Sequence, residues 1–398
     1  MVAHPAQILV LLVLGLATSA ILGAAIYLFY LANRPHPAMV VRTKRDANDP
    51  TATGEVVVYP RPPRQKALLM GLALVMLLWV FAGRHLVQAF YPATHEPQNL
   101  PAATLGKVRG ASGADLTVAH YGPAGAPTLV LTHGWGADRH DWDYVISAFK
   151  DRFHIVVWDL PGLGESSRAR DYSMQTLASD LDSVVSSIKD RPVVLVGHSI
   201  GGILNIEYAR RFPEKMGRDV RALVQVNTTF TNPVETKKGA EFSRKLQKPV
   251  YEPLLHVVTW VSPVARAFGW FAYQSGLAHL QLAKQSFAGA ETWDQLDEMA
   301  SYAYRSSTGV VAQGVLGMLH WDGSDVLTKI RVPTLIISGD EDVTTLPSAS
   351  DRMERDIPSS VRVAVSRAAH LGPVEQYARY ADAIASFMTK PSSGLVGE

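Results

Sequence analysis

Ser199 stands in Gly197-His198-Ser199-Ile200-Gly201, a GxSxG arrangement between the apolar run 192–196 and a helix-forming stretch at 203–211. A hydroxyl carried on a sharp strand-to-helix turn is the geometry of a nucleophile elbow. The flanking glycines answer a steric need, because strand and helix approach closely around such a turn. Serine is a weak nucleophile until a base takes its proton. The chain has 13 histidines. His370 is the best placed, a few residues after the run 361–365 and just before Leu371-Gly372-Pro373; His256, His279 and His320 fall in or beside an aromatic-rich stretch. A carboxylate must then orient the imidazole and stabilise its cation. Asp340, Glu341 and Asp342 share one loop after the run 333–337, and any of the three could serve. The chemistry of such a set is acyl transfer to serine followed by hydrolysis.

Bringing these side chains together requires strands whose carboxyl ends converge. From about residue 104 onward, short β-branched runs at 115–121, 127–132, 154–158, 192–196, 222–226, 333–337 and 361–365 predict strands. Amphipathic stretches near 141–150, 174–189, 199–212, 348–356 and 375–389 predict helices between them. Strand and helix in alternation imply a mainly parallel sheet covered on both faces, with loops at the carboxyl edge available for a site. The interval 230–325 breaks the rhythm: rich in aromatics and without a strand signal, it reads as an inserted helical cap.

The 398 residues carry 38 Lys and Arg against 36 Asp and Glu, with no basic block long enough to track a phosphate backbone, so nucleic acid is excluded as a partner. Zero cysteines exclude disulfides, thiolate catalysis and cysteine-based metal sites. No phosphate-binding GxxxxGK[ST], no dinucleotide fingerprint and no HExxH is present, so neither a cofactor nor a metal is expected. Residues 8–32 and 67–83 are uncharged apolar runs long enough to span a bilayer. Arg34, Arg42, Lys44, Arg45, Arg61, Arg64 and Lys66 lie between them, and this bias places the 33–66 loop in the cytoplasm and both flanks outside. A membrane anchor at 1–100, with a linker around Asn48, Asp49 and Pro50, a globular body at 101–390 and a flexible tail at 391–398 is the expected organisation. A cleaved signal peptide is the rival reading of the first run, but the run is too long and no Lys or Arg precedes it. Nothing in the chain points to an oligomeric state.

From about 105 to 390 the chain resembles the α/β-hydrolase fold superfamily. His133-Gly134-Trp135-Gly136 is similar to its HGxx loop, Asp159 to Ser166 (DLPGLGES) to its DxPGxGxS turn, the VPTLIISGDED stretch to its acid loop, and Ala369-His370-Leu371 to its histidine loop. The resemblance implies an α/β-hydrolase fold with a helical cap and a catalytic set of Ser199, Asp342 and His370. It also implies an oxyanion hole from the backbone N–H groups of Trp135 and Ile200. His133 and Asp159 are read as loop architecture, and the sequon Asn227-Thr228-Thr229 as the end of a buried strand. A serine at 199 disfavours epoxide hydrolase and dehalogenase activity, which need a carboxylate there. The expected function is a membrane-anchored serine hydrolase of carboxylic esters, lipid-like ones in particular. A cofactor-free perhydrolase, a C–C hydrolase and a non-catalytic ligand-binding receptor are the alternatives.

Overall fold

A computed structural model describes residues 5–34, 61–92, 100 and 102–389. The loop residues Arg42, Lys44 and Arg45, the linker at Asn48, Asp49 and Pro50, and the tail at 391–398 lie outside the described residues.

Eight strands are formed: β1 (Thr104–Arg109), β2 (Asp115–Tyr121), β3 (Thr128–Thr132), β4 (His154–Trp158), β5 (Val193–His198), β6 (Val220–Val226), β7 (Thr334–Gly339) and β8 (Ser360–Val365). They make one sheet in the order β1-β2-β4-β3-β5-β6-β7-β8, antiparallel from β1 to β4 and parallel from there on. Strands β3, β5 and β7 are buried along their whole length, which is why they read as unbroken apolar runs. Strand β1 has no counterpart among the predicted strands. Thr-Leu-Gly-Lys-Val-Arg is almost entirely exposed and lacks alternation, and β1 is held by its hairpin register with β2, Thr104 opposite His120 through Arg109 opposite Asp115.

After the apolar N-terminal helices α1 (Pro5–Asn33) and α2 (Pro63–Gln88), the helices between and after the strands are α3 (Asp143–Phe149), α4 (Met174–Ser187) and α5 (Ile200–Arg211). Then come α6 (Ala240–Leu246), α7 (Glu252–Trp260), α8 (Ser262–Gln274), α9 (Leu277–Ser286), α10 (Trp293–Arg305), α11 (Thr308–Leu319) and α12 (Ser324–Leu327), and finally α13 (Pro347–Asp356), α14 (Gly372–Glu375) and α15 (Tyr377–Thr389). Val145, Ile146 and Phe149 of α3 pack with Ile384 and Phe387 of α15 on one face of the sheet; Leu177, Leu181 and Val184 of α4 pack with Ile203 and Leu204 of α5 on the other. Helices α6 to α12 form the cap between β6 and β7, and among the described residues of 230–325 the only β feature is one bridge, Thr231 to Asp322.

Helices α1 and α2 contain the two expected spans and, at 1.5 Å per residue, reach about 43 and 39 Å. Both are long and apolar enough to cross a membrane. They also dock on the cap. Ile8 belongs to the main core, a Cβ on Gly15 would overlap the Phe268 backbone of α8, and the Thr18 and Ser275 hydroxyls are 3.2 Å apart. From α2, Gly83 abuts the Ser275 carbonyl, Phe81 packs on Trp270 and Phe271, and Arg84 reaches Tyr273 Oη at 2.8 Å and Asp297 Oδ1 at 3.3 Å.

Candidate active site

Four loops meet at the carboxyl edge of the sheet. Ser199 follows β5 directly, with φ +53° and ψ −115°, a left-handed conformation that costs a non-glycine residue of order 1–3 kcal/mol and persists only when its surroundings fix it. The surroundings are close. A Cβ on Gly197 would overlap the Gly201 carbonyl and the Gly202 nitrogen, one on Gly201 would overlap the Thr132 carbonyl, and one on Gly202 would overlap Thr228. Ser199 N–H donates to Val226 O at 3.0 Å, and its carbonyl accepts Thr228 Oγ1 at 2.5 Å. The small residues around the serine are therefore what lets α5 start against β3 and β6.

His370 Nε2 lies 3.1 Å from Ser199 Oγ, and His370 Nδ1 lies 2.8 Å from Asp342 Oδ2. The three candidates fall on one hydrogen-bonded line. Asp342 is buried, whereas Asp340 and Glu341 are exposed, which separates the three carboxylates that the sequence placed together. Burial by itself would raise the Asp342 carboxyl, but the His370 ring and the donors of Thr345 outweigh it and hold the group below the ordinary carboxylate range. Thr345 gives its N–H to Oδ1 at 2.9 Å and its hydroxyl to Oδ2 at 2.6 Å, and Thr344 N–H also donates to Oδ1 at 2.8 Å.

The backbone N–H groups of Trp135 and Ile200 donate to no acceptor among the described residues, Ile200 because it opens α5. Trp135 is fixed from below: its ring N–H donates to Val311 O at 2.8 Å and its ring lies against Gly314 of the cap helix α11. Unpaired N–H donors of this kind are what receives the negative charge that develops on a carbonyl oxygen under attack.

Residues outside the predicted set hold the loops. Asn227, at φ +41° and buried, donates to Ala369 O at 2.8 Å and to His370 O at 3.1 Å, and accepts from Gly339 N–H at 2.9 Å and Tyr380 Oη at 3.1 Å. The sequon's asparagine is thus buried structure that ties the histidine loop to the end of β7 and to α15. His198 bridges Asp141 Oδ2 at 3.1 Å and His370 O at 3.0 Å. Thr345 was legible in principle, since Asp followed two and three residues later by threonines is an Asx-turn pattern; the His198 and Asp141 pair, 57 residues apart, left no local trace. His133 takes Leu160 N–H at 3.0 Å and faces Gly134 O at 2.8 Å, and Asp159 takes Arg139 and the Glu165 N–H, both of them loop architecture as expected. Among the other histidines, His279 pairs with Asp297 at 2.8 Å inside the cap, His320 stands 3.6 Å from Glu252, and His256 is exposed.

Comparison with known proteins agrees with this architecture. Residues 127–377 match the family described as alpha/beta hydrolase fold. A pimeloyl-[acyl-carrier protein] methyl ester esterase of Neisseria meningitidis serogroup A is 26% identical over 275 residues, spanning 68% of this chain and 80% of that protein. Among solved structures, a thermophilic esterase from Thermogutta terrifontis superposes with a TM-score of 0.59 at 23% identity, covering 72% of this chain and 98% of the other. A membrane phospholipase A described as a bacterial virulence factor superposes with a TM-score of 0.58 at 22% identity, covering 81% of this chain and 96% of the other.

Proposed function

The chain belongs to the alpha/beta hydrolase fold family, and on that premise we propose that it is a membrane-anchored serine hydrolase of carboxylic esters with apolar acyl groups. The observation that carries the reading is the hydrogen-bonded line from Ser199 Oγ through His370 to Asp342, together with the unused N–H groups of Trp135 and Ile200. His370 Nε2 takes the hydroxyl proton as Ser199 Oγ attacks the ester carbonyl, and the two N–H groups receive the oxyanion. The tetrahedral adduct collapses to acyl-Ser199, His370 giving its proton to the departing alcohol. Water then attacks the acyl-enzyme with His370 again as base, and the carboxylic acid leaves. Asp342 holds the ring with Nδ1 protonated and stabilises its cationic form. No step calls for a cofactor or metal. The esterases among the related proteins favour an ester substrate.

The membrane part of the reading comes from α1 and α2. Gly15 and Thr18 already touch the cap, so the portion of α1 beyond them, residues 19–33, is about 22 Å long, less than the roughly 30 Å of a hydrocarbon core. If α1 crosses the bilayer, the part of the cap packed on Gly15 and Thr18, around Phe268 to Ser275, enters it too. A site under a cap immersed in lipid suits a lipid-like ester, and a membrane phospholipase A is among the fold neighbours. The spans are assigned to 8–32 and 67–83, the basic 33–66 loop to the cytoplasm and the hydrolase body, 101–390, to the extracytoplasmic side of the inner membrane. Turnover of p-nitrophenyl esters of increasing chain length by the purified full-length protein tests the reading, with Ser199→Ala as reference. Long-chain hydrolysis that vanishes in Ser199→Ala is expected; hydrolysis persisting in that variant within about tenfold of wild type refutes it.

A further inference from the structure

Helix α1 does more than touch the cap: its first turns bound a cavity. A narrow slot of about 40 Å³ has Gln7 and Leu11 of α1 on one wall and Tyr302 and Val311 of the cap on another. It reaches Gly136, the residue after Trp135, and Ser286, whose carbonyl accepts Leu371 N–H at 2.8 Å beside His370. One end of the slot therefore abuts both the oxyanion loop and the histidine loop. A second cavity continues along the same helix, sharing Leu11, Tyr302 and Val311 with the first and adding Ile8, Leu12 and Gly269 of α8. The walls are mostly apolar. Ile8 is 2% exposed, a burial that membrane insertion alone does not require.

We infer that this slot is the subsite for a single unbranched acyl chain, so that α1 forms part of the substrate-binding site as well as the anchor. The inference rests on the serine-esterase reading above. A thin, apolar, elongated space that starts at the oxyanion loop fits an extended alkyl chain and rejects branched or aromatic acyl groups.

The test uses the full-length protein in its membrane and a fluorophosphonate bearing a dodecyl chain with a terminal diazirine. The Ser199 Oγ–P bond forms, fluoride leaves and the hydroxyl proton passes to His370; irradiation then marks what the chain end touches. The expected result is phosphonylated Ser199 with crosslinks on α1 near Gln7 to Leu12, or on the facing Tyr302 and Val311. Labelled Ser199 with crosslinks confined to other segments overturns the subsite and leaves the esterase reading standing. Failure to label Ser199 overturns the esterase reading itself. In parallel, Leu11→Trp fills the slot and should lower the ratio of dodecanoyl to butanoyl ester kcat/KM by about tenfold or more, the effect of expelling a few methylenes. An unchanged ratio overturns the subsite.

Discussion

Replacing Asp342 by asparagine probes the acid loop with almost no change in volume. The carboxylate accepts two main-chain N–H groups on Oδ1, from Thr344 at 2.8 Å and Thr345 at 2.9 Å, while Oδ2 meets the Thr345 hydroxyl and His370 Nδ1. An amide keeps only one oxygen, and the two N–H donors can be satisfied by nothing else, so the asparagine NH2 takes the Oδ2 position. There it donates to His370 Nδ1. The ring proton moves to Nε2, which can then no longer accept from Ser199. In a serine protease, loss of the correct tautomer by the equivalent change lowers turnover by about 10⁴, which corresponds to about 5.4 kcal/mol of barrier. Asp340→Asn, on an exposed side chain two residues away, should stay within about twofold of wild type. The assay is kcat and kcat/KM on a short p-nitrophenyl ester, with urea unfolding to establish that both variants are folded. A loss below about tenfold in Asp342→Asn, or an equal loss in Asp340→Asn, refutes the assignment of the acid and its mechanism.

Gly197→Ala places a Cβ against the Gly201 carbonyl and Gly202 nitrogen, both backbone atoms that cannot swing aside, so the start of α5 and the Ile200 N–H must shift. Unfolding should become easier by about 1–3 kcal/mol and kcat fall about 100-fold; wild-type values for both contradict the close-packed elbow. Because Asp342 is held below the ordinary carboxylate range, its contribution to stability is present above about pH 5 and is lost as pH falls through that range toward its own lower value. Urea midpoints between pH 6 and 3 should therefore decline less steeply in Asp342→Asn than in wild type; parallel declines contradict the shift. Alkaline phosphatase fused after Glu398 should be active and the same reporter placed within the 33–66 loop inactive, and the reverse pattern overturns the orientation.

Most of the candidate site was legible in the sequence because its parts are local. The GxSxG elbow, the acid loop and the histidine loop each sit directly after a strand, and a buried parallel strand announces itself as an apolar run. Selection of Asp342 over Asp340 and Glu341 came from resemblance alone; the structural distinction is burial, which neighbouring carboxylates in one loop do not disclose. Strand β1 escaped because an exposed edge strand carries no periodicity, and its pairing is imposed by the hairpin with β2. The docking of α1 on the cap was also hidden: Ile8, Gly15 and Thr18 look like any residues of an apolar span until Phe268 and Ser275, some 250 positions later, are brought against them.

The measurement that bears most directly on acyl transfer to Ser199 is mass spectrometry of protein quenched in acid during turnover of a long-chain ester. The peptide containing Ser199 should gain the mass of the acyl group, absent from Ser199→Ala and lost again when wild-type protein is chased without substrate. Steady turnover with no adduct on that peptide, or an adduct on a different residue, would contradict it.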